Sequence, residues 1–290
     1  AAHMDEVAFI VKRITDEGML KFGVVGGMDP RILMGKRVRV GEEKIPGIIG
    51  IKAVHLTTAE ERRKVPTVSD MYIDIGAGSR AEAEKLVRIG DPVVYDTAVR
   101  RLSPTRYAAR AFDDRAGCYC VFEALRRLSR DSAKTDYRVV SVATTQEEIG
   151  TRGALTAAYG IDPQVGLAVD VDHATDFPTC DRRRFGHIRL GKGPVISRGP
   201  NINPKVFERL AECAEREGIP YQIGAESRPT GTDARVIQMT RGGVATGLLG
   251  IPLRYMHTPS EVADLDDIEG CVRLIAAFAK SLKNSDDFSF

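Results

Sequence analysis

The chain has 290 residues, 43% hydrophobic and 28% charged, an ordinary globular profile that is long enough for a large core and for two domains. A net charge of +2 with no long basic stripe argues against a nucleic-acid partner, and the lack of an apolar run of spanning length argues against a membrane. Five cysteines, at 118, 120, 180, 213 and 271, make no Cys-x-x-Cys pair and read as reduced thiols of a cytoplasmic protein.

The first six residues, Ala-Ala-His-Met-Asp-Glu, run straight into an apolar stretch at 7–11, so the chain reads as one entered partway through a fold. Ala-Ala-His-Met also reads as an expression-tag remnant, which would remove His3 from fold reasoning. From 7 to about 92 the pattern is short strands, at 7–11, 20–25, 37–40, 45–51 and 71–75, punctuated by Gly and Pro, with one helical stretch at 80–87. That is the pattern of a small β-rich domain with its own core.

From about 110 the pattern changes. A helix is predicted at 115–129, with Cys118, Val121, Phe122, Leu125 and Leu128 at helical spacing. A strand at 138–143, rich in β-branched residues, leads into Glu147-Glu148 and a helix near 154–159. A strand at 165–171 follows, then a helix at 204–217 with Asn203 as N-cap and Pro204 at the first helical position. Further strands at 221–223 and 243–249 flank a segment at 234–240, and the last helix covers 267–282. Strands alternating with helices predict an α/β fold with a mostly parallel central sheet flanked by helices. The densest basic run, Arg182-Arg183-Arg184, reads as a solvated loop.

The chemistry gathers at strand ends. In an open α/β sheet ligands bind at the carboxyl ends of the strands, and Glu147-Glu148 stands at such an end. Alone, the pair reads as a solvated acidic turn. However, Asp113-Asp114 opens the helix at 115–129, Asp170 closes the next strand, His257 lies in the loop before the last helix, and His3 and Asp5 open the first strand. Two histidines and three carboxylates are the right supply for two divalent metals that share a bridging carboxylate and activate one water. Nitrogen and oxygen ligands without sulfur suit Zn, Co or Mn and do not choose among them.

Five segments resemble the tetrahedral dinuclear metallo-aminopeptidases, the group of glutamyl, leucyl and deblocking aminopeptidases of which some have been labelled endoglucanases. They are His3-Met-Asp-Glu-Val7, Phe112-Asp-Asp-Arg-Ala-Gly-Cys118, Thr144-Thr-Gln-Glu-Glu-Ile-Gly-Thr-Arg-Gly-Ala154, Ala168-Val-Asp-Val-Asp-His-Ala174 and Arg254-Tyr-Met-His-Thr-Pro-Ser-Glu261. Gly-Pro-Asn-Ile-Asn-Pro at 199–204 and Gly-Thr-Asp-Ala at 231–234 are also similar, and the order holds from residue 1 to about 283. The resemblance implies Asp113 as a bridging carboxylate, followed by a cis peptide. It implies His3 and Asp170 on one metal, Glu148 and His257 on the other, Glu147 as general base, and Asp5 orienting His3 through its second nitrogen. It implies a catalytic domain of residues 1–6 and 97–290, an inserted β-rich dimerisation domain at 7–96, and six dimers forming a hollow dodecamer that takes peptides. Members of that family carry about one further helix and some strand before the equivalent of His3, so the N-terminal part of the catalytic domain is expected to be missing from this sequence. The match continues in register through 26–33, which favours a native His3.

Other polar residues read as structural. His55, His173 and His187 fit surface, loop or packing roles, with His173 near enough to Asp170 to support it. Asp172 and Asp176 are candidates for lining the pocket, and the loop at 231–233 for binding substrate. Only Cys118 of the first two cysteines fits the predicted apolar helix face. Two rival functions remain at this level: a catalytically inactive peptide-binding assembly, and a β-glucan-acting glycoside hydrolase, against which the two histidines argue.

Overall fold

The computed structural model describes residues 1–131 and 137–289. The chain forms two compact units, one of Ala1–Asp5, Val99–Met256 and Glu261–Phe290, the other of Glu6–Ala98 and His257–Ser260.

After the two-residue strand β1 (Ala2–His3), the chain enters the second unit. Strands β2 (Ala8–Ile14), β3 (Leu20–Val25), β4 (Arg37–Val40), β5 (Ile45–Ile51), β6 (Met71–Asp74) and, beyond the short helix α1 (Arg80–Ala83), β7 (Pro92–Tyr95) close into a barrel in the order β2-β3-β6-β5-β4-β7. Alternation drives it: Phe9 and Val11 point in while Ile10 and Lys12 point out, and Val38, Val40, Val93 and Tyr95 line the same core. The ring of Phe9 meets those of Phe22 and Tyr95 edge-on, at 5.2 and 5.3 Å between centroids. Closure leaves no open sheet edge.

The other unit continues with β8 (Arg100–Arg101), β9 (Arg106–Ala109), α2 (Phe112–Arg130), β10 (Ala143–Thr144), α3 (Arg152–Ile161), β11 (Val165–His173), α4 (Arg182–Phe185) and β12 (Val195–Arg198). It ends with α5 (Pro204–Arg216), β13 (Gln222–Ala225), α6 (Ala234–Ile237), β14 (Ala245–Arg254), β15 (Glu261–Asp264) and α7 (Leu265–Ser281). Among the described residues its main sheet has seven strands in the order β13-β12-β14-β15-β9-β8, with β11 paired to β14.

The fold is α/β, but the expectation of a mostly parallel sheet is corrected. β11–β14 and β12–β13 are parallel, whereas β12–β14, β14–β15, β15–β9 and β9–β8 are antiparallel. The connections β14–β15 and β8–β9 are too short for a crossover helix, so the chain doubles back on itself. The sequence pattern showed neither β8, β9 and β15, which are only two to four residues long, nor β12.

The strand expected at 138–143 reduces to Ala143–Thr144, paired in parallel with Ala2–His3. The apolar face predicted for 115–129 is also shifted. Cys120, Val121 and Ala124 are buried, Cys118 is half-buried and Phe122 is exposed, because α2 approaches its neighbours on its small residues. The cap of α5 is as expected: Asn203 Oδ1 accepts from the N–H groups of Lys205 and Val206 at 3.0 and 3.1 Å, with Pro204 in the first turn.

Candidate metal centre

Three elements of the first unit deliver the central side chains. β1 carries His3, the first turn of α2 carries Asp113, and β11 carries Asp170. All three side chains are buried, and one ligand atom from each lies within 4.8 Å of the others. His3 Nε2 is 3.0 Å from Asp113 Oδ1, 3.8 Å from Asp170 Oδ1 and 4.0 Å from Glu147 Oε2. Although only 1% of His3 is exposed, its Nε2 makes no hydrogen bond of good geometry among the described residues. A buried imidazole nitrogen aimed into converging carboxylate oxygens is the donor set of a divalent cation, and it passes the test of fit for one.

The scaffold behind these side chains is specific. His3 N–H donates to Asp114 Oδ2 at 3.1 Å, and Gly117 N–H donates to Asp114 Oδ1 at 3.1 Å. Asp114 thereby clamps β1 to the start of α2; a Cβ on residue 117 would lie 2.3 Å from Oδ1, so only glycine fits. The Asp113–Asp114 peptide is cis. Asp113 N–H donates to Glu261 Oε2 at 3.2 Å. Thr144, the register partner of His3, donates its hydroxyl to Asp233 Oδ2 at 2.5 Å.

The Glu147-Glu148 turn is fixed from the opposite side. Asp5 Oδ1 accepts from the Glu147 N–H at 3.2 Å and Oδ2 from the Glu148 N–H at 3.3 Å. His3 Nδ1 is 3.1 Å from the Asp5 carbonyl and 3.6 Å from its carboxylate, so the main chain of Asp5 makes the closer contact with the ring. Gly153 N–H donates to the Thr145 carbonyl at 2.8 Å, and a Cβ on residue 153 would lie 2.4 Å from that oxygen. Helix α3 is thus seated against the turn. Glu148 and Asp113 bring carboxylate oxygens within 4.8 Å of each other. His257, at φ 61°, lies in the 257–260 turn that belongs with the barrel unit, where a Cβ on Gly27 would come 3.5 Å from its Nδ1.

The electrostatics follow from crowding acids in a dry place. Burial raises the pKa of Asp170, and Asp113 and Glu147 add to it while His3 opposes. Burial raises that of Asp114, with Asp170 next. Burial pushes Glu147 up to about 7, His3 opposing and Glu148, Asp233 and Asp113 adding. His3 moves the other way: burial disfavours its charge, but Asp113 and Asp5 outweigh that and raise its pKa. A divalent cation among these groups would relieve the like-charge repulsion.

Asp172 stands apart from this group. It is half-buried, two residues beyond Asp170, and burial pushes it up to about 6 with Glu226 adding. Asp176, by contrast, is paired with Arg254 through oxygens at 2.6 and 2.7 Å. His55, His173 and His187 are exposed. Asp114, Asp233 and Glu261 have supporting roles that the pattern did not assign, although it named the Asp113-Asp114 pair and the loop at 231–233. Each lay inside a quoted motif, which was the available signal.

A model of the M42 glutamyl aminopeptidase family matches residues 1–274, and the chain belongs to that family. It is 40% identical over 290 residues to the lysyl aminopeptidase of Pyrococcus furiosus, covering 99% of this chain and 82% of that protein. Among solved structures it superposes on a TET aminopeptidase from a marine sediment Thaumarchaeota archaeon with a TM-score of 0.93 at 36% identity, covering 98% of this chain and 80% of the other. The Pyrococcus horikoshii TET1 peptidase, described as assembling into a tetrahedron or a large octahedral shell, matches with a TM-score of 0.85 at 35% identity, covering 97% and 82%. The chain is therefore a peptide hydrolase of the aminopeptidase type. Among the described residues no helix is long and apolar enough to cross a membrane.

Proposed function

We propose that the chain removes N-terminal residues from peptides with the help of two divalent metal ions, Zn, Co or Mn, held by His3, Asp113, Glu148, Asp170 and His257. The observation that carries this reading is the convergence of His3 Nε2, Asp113 and Asp170 in a buried pocket of the catalytic unit. His3 and Asp170 would hold one ion and Glu148 and His257 the other, with the Asp113 carboxylate available to both. When bound, the ions supply a water activated at neutral pH and polarise the substrate carbonyl.

The remaining steps belong to the protein's own residues. Glu147, buried beside His3 but outside the ligand set, takes the proton of the attacking water and hands it to the leaving amine. A carboxylate poised near neutrality is suited to both halves of that transfer. Asp5 holds the main chain of Glu147 and Glu148 and steadies the ring of His3. Residues 7–96 form an inserted dimerisation domain within a catalytic domain of 1–6 and 97–290, and dimers assemble into a dodecamer in the cytoplasm. TET relatives described as a dodecamer and as a tetrahedron or large octahedral shell support that assembly.

The test is Glu147→Gln, assayed by p-nitroaniline release from aminoacyl anilides with metal content measured in parallel. Turnover should fall by about 10²–10⁴-fold while the bound metal stays unchanged. Retained turnover would remove Glu147 from the proton transfer.

A further inference from the structure

We infer that Cys120 and Cys271 are a redox-dependent cross-linking site, at which a disulfide ties α2 to α7 and stabilises the first unit under oxidising conditions. The inference does not depend on the aminopeptidase reading. α2 and α7 pack side by side, and both cysteines lie in the seam between them with no exposed surface. Cys120 Sγ donates to the Ile268 carbonyl at 3.5 Å, one turn before Cys271 on α7. It is also hydrogen-bonded with the Cys271 thiol, so the two sulfurs are neighbours across the seam. α2 presents Ala116, Gly117 and Ala124 on the same buried face, and small residues let the two helices approach closely. Cys118 and Cys213, by contrast, donate to the carbonyls of His3 and Ala277, at 3.1 and 3.7 Å.

Two ion pairs set the register of the helix pair apart from the thiols. Arg127 holds Glu269 through contacts of 2.6 and 2.8 Å, and Lys280 pairs with Asp131 at the far end of α2. A disulfide tolerates only a narrow range of Cα separations, about 4.4–6.8 Å, and helices that meet on small residues with their sulfurs in contact suit it. The oxidant is a low-molecular-weight disulfide such as glutathione disulfide. One protein thiolate attacks a glutathione sulfur, the glutathione S–S bond breaks and one glutathione thiolate leaves. The second protein thiolate attacks the mixed disulfide and displaces the other. Two protein thiols become one disulfide, and their two protons end on two glutathione thiols. The Cys271 thiol and burial hold Cys120 well above the usual thiol range, so the native pair reacts slowly, and a reducing thiol pool keeps it as thiols. Once formed, the bond closes a loop of about 150 residues, and the unfolded chain loses the freedom of that whole loop. Glu147, Glu148, Asp170 and His257 all lie within it, and the cross-linked helix α2 carries Asp113 in its first turn.

The experiment incubates the full chain at about pH 8.5 with reduced glutathione or with glutathione disulfide, alkylates the remaining thiols and maps the peptides by mass. It is repeated in urea just below the unfolding transition, which opens the seam to the oxidant. The oxidised wild type should yield a peptide pair joined through Cys120 and Cys271, and its thermal midpoint should rise by about 5 °C or more over the reduced sample. Cys120→Ala and Cys271→Ala should each lose both the joined peptides and the rise. The mass map of the wild type decides alone where a variant fails to fold. Cys120 and Cys271 both found alkylated after oxidation with and without urea, or joined to other partners, would overturn the inference. So would a Cys120–Cys271 bond that leaves the midpoint unchanged or lowers it.

Discussion

At the scale of single residues, burial and crowding make the acids of the site hold their protons. Glu147 is shifted from 4.5 to about 7 by burial, and burial together with Asp113 raises Asp170. His3 is raised despite burial, by Asp113 and Asp5. In each case the folded state holds its proton more tightly than the unfolded chain. The stability these groups contribute is therefore complete below their unfolded values and is lost as pH rises through the folded ones. Asp5, lowered by His3 and by the Glu147 N–H, works in the opposite direction at acid pH. Chelated protein should accordingly melt at a falling temperature between about pH 5 and 8, whereas metal-loaded protein should change less, because the cations replace the protons. Scanning calorimetry with and without chelator checks this; parallel pH profiles for the two forms would contradict it. The placing of the ligand candidates and Glu147 at strand and helix ends was legible in the sequence, whereas their roles came from the family resemblance and are proposals. The supporting roles of Asp114 and Asp233 were not legible, since they hold main chain and hydroxyl groups that belong to distant segments.

At the scale of elements, β1 and β10 lie side by side and a side-chain hydrogen bond helps to hold them. The pairing is two residues long, and the Thr144 hydroxyl anchors it to Asp233 beside α6. Asp233 Oδ1 has no hydrogen-bond partner among the described residues and only 2% of the residue is exposed, so Oδ2 carries the contact that offsets its burial. Thr144→Val should destabilise the protein by about 1–3 kcal/mol by leaving that carboxylate without its donor, and Thr144→Ser should be close to neutral. Urea unfolding of the two variants distinguishes them; equal stabilities would show that the hydroxyl contributes little. Capped, amphipathic elements such as α5 and α7 were readable from their caps and spacing. Short strands were not. β8, β9 and β15 carry too few residues for a periodicity.

At the scale of the whole molecule, family-level identity was legible because the ligand motifs keep their order along nearly the full chain, as the match over residues 1–274 requires. The direction of the strands was not, because direction is set by connection length and three of the connecting strands were too short to read. A sheet that is parallel at β11–β14 and antiparallel from β14 to β8 still brings Asp170, Asp113 and the Glu147 turn together, since each sits at an element end in the same unit. Multi-angle light scattering should give a particle of about twelve subunits if the barrel unit mediates dimers and the dimers close into a shell; a monomer would contradict that assembly. The most direct test of the central claim is anilide hydrolysis after exhaustive chelation, followed by titration with Zn, Co or Mn. Activity should vanish with the chelator and return as two equivalents per chain are bound. Activity indifferent to the chelator, or absent after metal is restored, would contradict a two-metal aminopeptidase.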